Sequence, residues 1–387
     1  LIALAQDEMA KMRKILGMAL AALLSAGAAG AQDFEAGLEA YERGDYAAAL
    51  IEIRPLAEAG DPLAQIILAE AYLQGDGVQQ DKAEAARVFR LAANQGFAEA
   101  QFNLALMYDS ADGVPQDDAE AVRWYRLAAD QGFAEAQHNL ALMYEDGQGV
   151  QQDKAEAARL YRLAAFQGLA RSQHNLGLMY KNGHGVMQDK AEAAFWFRLA
   201  ADQGNAKSQN SLGLLYSQGE GVQQDKAEAA RLYRLAANQG FAEAQFNLAF
   251  MYDSADGVPQ DDAEAVRWYR LAADQGFAEA QFNLATAYFT GEGVQQDKAE
   301  AARLYRLAAF QGIANAQSNL AVLYALGEGI LKDDVKAYMH ANIGCALKDE
   351  NGCKLRELVS TKMTPADISE AQRLARVCME SKFADCD

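Results

Sequence analysis

Across 387 residues the chain carries 54 Asp plus Glu against 35 Lys plus Arg, a formal charge of −19. That balance argues against a nucleic-acid binder, which needs a basic face to neutralise phosphates, and against an anionic membrane surface as partner. Only five prolines, abundant alanine and sparse β-branched residues favour helix, because alanine loses no side-chain entropy on entering one.

Residues 1–31 read as an export signal. Met12, Arg13 and Lys14 form a short basic region, Ile15 to Leu24 an apolar stretch, and Ala29, Gly30 and Ala31 a small-residue cleavage site before Gln32. Met9 or Met12 is the expected natural start. The apolar stretch is too short for a membrane span, so no stable membrane insertion is expected after cleavage. The absence of a cysteine at the cut argues against a lipid anchor. A periplasmic or secreted protein is expected.

Residues 32–63 read as a degenerate capping helix pair, with Tyr41, Gly44 and Gly60 in places that recur downstream. From Ala64 the chain repeats every 36 residues without slippage. Units begin at Ala64, Ala100, Ala136, Ser172, Ser208, Ala244, Ala280 and Ala316, giving a solenoid over 64–329. Residues 100–135 and 244–279 differ only at Leu106 versus Phe250, as after duplication of a four-repeat block.

Each unit predicts two helices. In the third, Ala136, Leu140, Met143 and Gly147 share one face of a first helix. A loop containing Gly147 and Gly149 ends it. Asp153 then opens a second helix with Glu156 three residues later, the spacing of a capping box. The pair recurs at Asp81/Glu84, Asp117/Glu120, Asp189/Glu192, Asp225/Glu228, Asp261/Glu264 and Asp297/Glu300, and glycines such as Gly168 close the second helices. Small Ala155 and Ala158 are expected to allow close backbone approach, with Leu160, Tyr161 and Leu163 filling the interior. A tyrosine ladder, Tyr72, Tyr108, Tyr144, Tyr180, Tyr216, Tyr252, Tyr288 and Tyr324, is expected in the core. One unit cannot bury its own apolar face, so neighbours must stack. Residues 330–387 form a degenerate C-terminal cap, where Lys348 replaces the closing glycine and Thr364-Pro365 opens a last helix.

The fourth unit, with Tyr180, Gly183, Gly185, Val186, Trp196 and Gly204, closely resembles the Sel-one-like repeat, a relative of the tetratricopeptide repeat. Ala111 and Ala255 depart from it at the first loop glycine. The resemblance implies an all-α, right-handed superhelical solenoid of helix-turn-helix units. It further implies an adaptor that binds proteins or peptides, with roles in cell-envelope assembly or host contact, and no cofactor.

All four cysteines, Cys345, Cys353, Cys378 and Cys386, lie near the C-terminus, and four allow three connectivities. Their spacing is similar to that of the cysteine-rich branch of the family. That likeness implies Cys345–Cys353 and Cys378–Cys386, each bridge contributing about 2–3 kcal/mol.

Chemistry is hard to find. No S-x-x-K, G-x-S-x-G, H-E-x-x-H, P-loop or C-x-x-C motif is present. The loop Asp109 to Gly113 fails as an EF-hand, because Tyr108 and Ala119 fall where Asp and Glu are needed. His138 and His174 are read as surface histidines rather than metal ligands. Relatives in the cysteine-rich branch imply a cell-envelope hydrolase or β-lactam-binding protein as the alternative function, but no residue here is placed to carry it.

A partner face is sought where the repeat varies. Third positions are Ile66, Phe102, His138, His174, Asn210, Phe246, Phe282 and Ser318, opposite the Ala136, Leu140 and Met143 face. Beside them run Asn103, Asn139, Asn175, Asn247, Asn283 and Asn319. These positions are expected to line a concave wall, with the aromatics as anchors and the amides holding an extended peptide or, alternatively, the backbone of an adjoining repeat.

Overall fold

The computed structural model describes residues 28–384 and 386. The stretch read as an export signal, residues 1–31, lies outside the described residues apart from the backbone of 28–31. Two compact units divide between Gln188 and Asp189.

The first unit holds α1 (Ala28–Glu42), α2 (Tyr46–Glu58), α3 (Pro62–Gln74), α4 (Lys82–Asn94) and α5 (Ala98–Ser110). It continues with α6 (Asp118–Asp130), α7 (Ala134–Asp146), α8 (Lys154–Phe166) and α9 (Ala170–Asn182). The second unit holds α10 (Lys190–Asp202), α11 (Ala206–Gln218), α12 (Lys226–Asn238), α13 (Ala242–Asp253) and α14 (Asp262–Asp274). It ends with α15 (Ala278–Thr290), α16 (Lys298–Ala309), α17 (Ala314–Leu326), α18 (Asp334–Ala346), α19 (Glu350–Ser360) and α20 (Pro365–Glu380). The described residues contain no strand. Within each unit successive helices pack on one another, so the fold is an all-α solenoid.

Local chemistry sets the helix ends. Asp153 is extended and its carboxylate accepts from the Ala155 and Glu156 amides, both at 3.0 Å. Only half of the expected capping box forms. The Glu156 carboxylate turns outward to Arg159 at 2.6 Å, and Glu120 takes Arg123 and the Trp124 indole N–H. An Arg one turn on outcompetes the N-cap amide because the charged pair is bidentate. In the last helix Thr364 and Asp367 do close a capping box.

The second loop glycine packs on the preceding repeat. A Cβ on Gly149 would stand 2.3 Å from the Asp118 carbonyl, and one on Gly293 would stand 2.2 Å from that of Asp262. Any side chain there would drive the loop off the start of the neighbouring second helix. At the first loop position the glycine is needed for backbone sign alone, and Ala111 (φ 58°) and Ala255 (φ 55°) adopt the left-handed region despite their Cβ atoms.

The interior differs in detail from expectation. Ala157, Ala158, Leu160 and Tyr161 are buried, whereas Ala155 is exposed and Leu163 is 40% exposed. The tyrosine ladder is half-buried except for Tyr324. Its hydroxyls accept hydrogen bonds from the arginine of the preceding second helix, Arg126 to Tyr144 at 2.7 Å and Arg270 to Tyr288 at 2.9 Å. These arginines pin one repeat to the next.

A buried glutamine ladder carries the same task inside. Gln137 donates to the Ala129 carbonyl at 3.1 Å and accepts from Gln167 at 2.9 Å. Gln245 repeats this with Ala237 and Gln275. At the C-terminal cap His340 Nδ1 takes the glutamine's place on Gln317, at 2.7 Å, and stacks on Tyr324. Because Gln317 Oε1 is an acceptor, Nδ1 carries the proton. Cys345–Cys353 and Cys378–Cys386 are bridged, each with Cα atoms 4.5 Å apart. Lys348, at the place of the closing glycine, takes φ 70°.

Candidate functional site

The exposed face of the first helices is built in two layers. Third positions form its floor and seventh positions its surface, since residues four apart lie over one another on a helix. The floor is scaffold. His138 is 6% and His174 8% exposed, so neither is a surface histidine. The His138 ring lies 5.4 Å from that of Tyr161, and Nδ1 is 2.8 Å from Ser172 Oγ. Burial and the positive charge of Arg171 push the His138 pKa down to about 3. Phe102 is half-buried, 5.1 Å from Phe133 and 5.9 Å from Tyr125; Phe246 repeats this on Phe277 and Tyr269, and Phe282 sits 5.7 Å from Tyr305. The expectation that His138 and His174 lie at the surface is therefore corrected, and the phenylalanines expected as anchors also pack within the scaffold. Phe102, His138, Phe246 and Phe282 each fill the gap above the tyrosine of their own second helix.

The asparagines are also engaged. Asn139 donates to Tyr125 Oη at 3.1 Å, and that hydroxyl donates to Asp109 at 3.3 Å. Tyr161 bonds Asn175 and donates to Glu145 at 2.8 Å. In the second unit Asn283 bonds Tyr269, which donates to Asp253 at 3.2 Å, while Asn247 donates to Asn210 at 2.9 Å. Asn103 is half-buried. The partners of Asn139, Asn175 and Asn283 are tyrosine side chains of the preceding repeat, neither a peptide nor loop backbone. Burial raises the pKa of both Asp109 and Asp253, while the tyrosine bond opposes it.

What is left exposed is a row missed at the sequence level. Leu142 is 37% and Phe250 50% exposed, and Leu106 and Leu178 in the first unit and Leu214 in the second are half-buried at equivalent places. The signal was a continuous apolar register one turn after the third position, masked because apolar residues on a helix are usually taken as core.

Catalytic geometry is poor. His138 and Ser172 have the separation of a nucleophile and its base, but Ser172 is 0% exposed and an imidazole with a pKa near 3 is a weak base. Among the described residues no group of three His, Cys, Asp or Glu could hold a metal ion. No described helix is long and apolar enough to cross a membrane.

The Sel1 repeat model matches eight consecutive segments, 62–97, 98–133, 134–169, 170–205, 206–241, 242–277, 278–312 and 314–349. The chain belongs to the Sel1 repeat family. Among solved structures, a protective antigen present in uropathogenic Escherichia coli strains and displaying an SLR fold is 32% identical, with a TM-score of 0.59 over 91% of this chain and 85% of that one. A Sel1 repeat protein from Oxalobacter formigenes is also 32% identical, with a TM-score of 0.63 over 80% of this chain and 90% of that one. No curated protein matches the chain. The Sel1 scaffold is consistent with a protein-interaction adaptor.

Proposed function

We propose that this Sel1 repeat protein is an exported, non-catalytic adaptor that holds protein or peptide partners on the first-helix faces of its units. The observation that carries the reading is the apolar seventh-position row, Leu106, Leu142 and Leu178 in one unit and Leu214 and Phe250 in the other. A row of partly exposed apolar side chains along one helix face gives a partner's apolar side chains ground to bury against. Half-buried Phe102, Asn103, Asn139, Asn175, Phe246, Asn247, Phe282 and Asn283 support this row from beneath and at its side, and His138 and His174 only support it. The two disulfides favour an oxidising compartment, in keeping with the signal read at residues 1–31. The related antigen from uropathogenic strains makes envelope or host-contact assembly the setting to examine first.

Affinity capture from the envelope of the source cell, followed by mass spectrometry, tests the reading. Leu142→Arg with Phe250→Arg should abolish capture of the recovered partner while circular dichroism stays unchanged, since both side chains are exposed. Equal recovery by the double variant would remove the row from consideration. Truncating Phe102, Phe246 or Phe282 is a poorer test, because each packs on a tyrosine and its loss weakens the scaffold.

A further inference from the structure

First helices carry a long buried side chain at the eighth position: Met107, Met143 and Met179 in one unit, Leu215, Met251 and Leu323 in the other. The series is interrupted by alanine twice, at Ala71 in α3 and at Ala287 in α15. A cavity of about 80 Å³ lies beside Ala287, between α14, α15 and the end of α13. Its walls are of two kinds. Ala265, Val266 and Ala287 contribute carbon, Asp253, Asp262 and Glu292 bring carboxylates, and Tyr269, Asn283 and Thr286 complete the lining. Gly293, pressed against the Asp262 carbonyl, brings the adjoining Glu292 to the Asp262 side of the cavity.

These carboxylates differ from their neighbours. Asp256 pairs with Lys226 and Glu264 with Arg267. Asp253 accepts from Tyr269, Asp262 from Gln260 and Glu292 from Thr290, all uncharged donors. Three negative groups are thus gathered by neutral partners around a space with apolar walls. Their spacing suits no metal ion among the described residues. A cation on a hydrocarbon stem satisfies both kinds of wall, and the small volume favours a compact ammonium over a planar guanidinium. Phe250, one turn before Asp253 on α13 and 50% exposed, offers apolar ground for a flanking residue.

We propose that this cavity receives a lysine side chain of the partner protein, its stem against Ala265, Val266 and Ala287 and its ammonium among Asp253, Asp262 and Glu292. The inference rests on the adaptor reading and names the residue class that the adaptor selects. Complementarity of charge supports it, because a chain of formal charge −19 attracts cationic partners over several ångströms.

The test uses the full chain with labelled methyl groups and the capped tetrapeptide acetyl-Ala-Lys-Phe-Ala-amide at low salt. Saturable shifts are expected at the Thr286 and Val266 methyls. Replacing the peptide lysine with norleucine should weaken binding at least ten-fold, and replacing it with arginine several-fold. Ala287→Met should abolish the shifts while raising Tm, since six first helices already carry a methionine or leucine that fills this register without strain. Asp253→Asn with Glu292→Gln should weaken binding at least five-fold. Norleucine or arginine binding as well as lysine, or undiminished binding by Ala287→Met, would overturn the proposal. Capture of the partner that survives Ala287→Met sinks the lysine cavity and leaves the adaptor standing. Peptide binding without any captured partner does the reverse.

Discussion

The duplicated block supplies a controlled comparison. Residues 100–135 and 244–279 differ at one position, yet different first helices follow them. On the first copy α7 places His138, Leu142 and Met143; on the second α15 places Phe282, Thr286 and Ala287. The hydrogen-bonded chain is the same in both, Asn139 to Tyr125 to Asp109 and Asn283 to Tyr269 to Asp253. The packing beside it is not. Met143 is 2% exposed, whereas Ala287 borders a cavity. Polar register therefore belongs to the repeat, and the space next to it is decided by one side chain per unit.

The largest predicted effect makes the first region like the second. Met143→Ala should cost about 3 kcal/mol, the transfer and cavity terms of a buried methionine. Hydrogen exchange should accelerate in α6 and α7 and stay unchanged in α14 and α15. Slowed or equal exchange in α7 would mean that the neighbouring helices close the gap.

Acid should separate the two regions next. Unfolded histidine takes a proton near pH 6.5, but folded His138 resists until about pH 3. The unfolded state thus binds more protons between those values. The stability is fully present above pH 6.5 and is lost as pH falls towards 3, by about 1.4 kcal/mol per unit. Between pH 6.5 and 5 exchange protection of α7 and α8 should drop by roughly 2 kcal/mol, and His138→Phe, which copies Phe282, should remove the slope. At the C-terminal cap His340, whose pKa burial also pushes down to about 3, predicts a similar loss in α17 and α18.

Removing the shared phenol should then affect both regions alike. Tyr125→Phe and Tyr269→Phe should each cost about 1–2 kcal/mol by stranding the asparagine amide. The tyrosine bond opposes burial, so the Asp109 and Asp253 pKa values should rise further in these variants, as read by carboxyl NMR titration. A difference between the two sites would show that the cavity already hydrates the second network.

The smallest effect concerns the strained loop. Ala111→Gly and Ala255→Gly should each raise stability by about 1 kcal/mol, through relief of a left-handed backbone. Equal shifts in denaturation midpoint are expected, because the surrounding sequences match.

Legibility followed the range of the interactions. Asp153 as N-cap and Gly147 as C-cap are decided by atoms a few residues away, and both stand as expected. Glu156 was misread because its choice between the N-cap amide and Arg159 depends on which partner is charged. Third positions, expected at the surface of the first-helix face, lie a layer deeper, against side chains of the second helices. His138 and Phe102 share a helix face with Leu142 and Leu106, and spacing alone does not say which end of that face the next repeat covers.

By itself the sequence determined the period, the two helices of each unit, their caps and hence the Sel1 solenoid, all properties of local spacing and backbone sign. Tertiary structure decided depth. It sank Phe102, Phe246, Phe282 and His138 onto tyrosines, tied Asn139, Asn175 and Asn283 into amide–phenol bonds, and left Leu142 and Phe250 at the surface. It also turned Ala287 from a small residue into a cavity, because an empty volume exists only when several helices fail together to fill it.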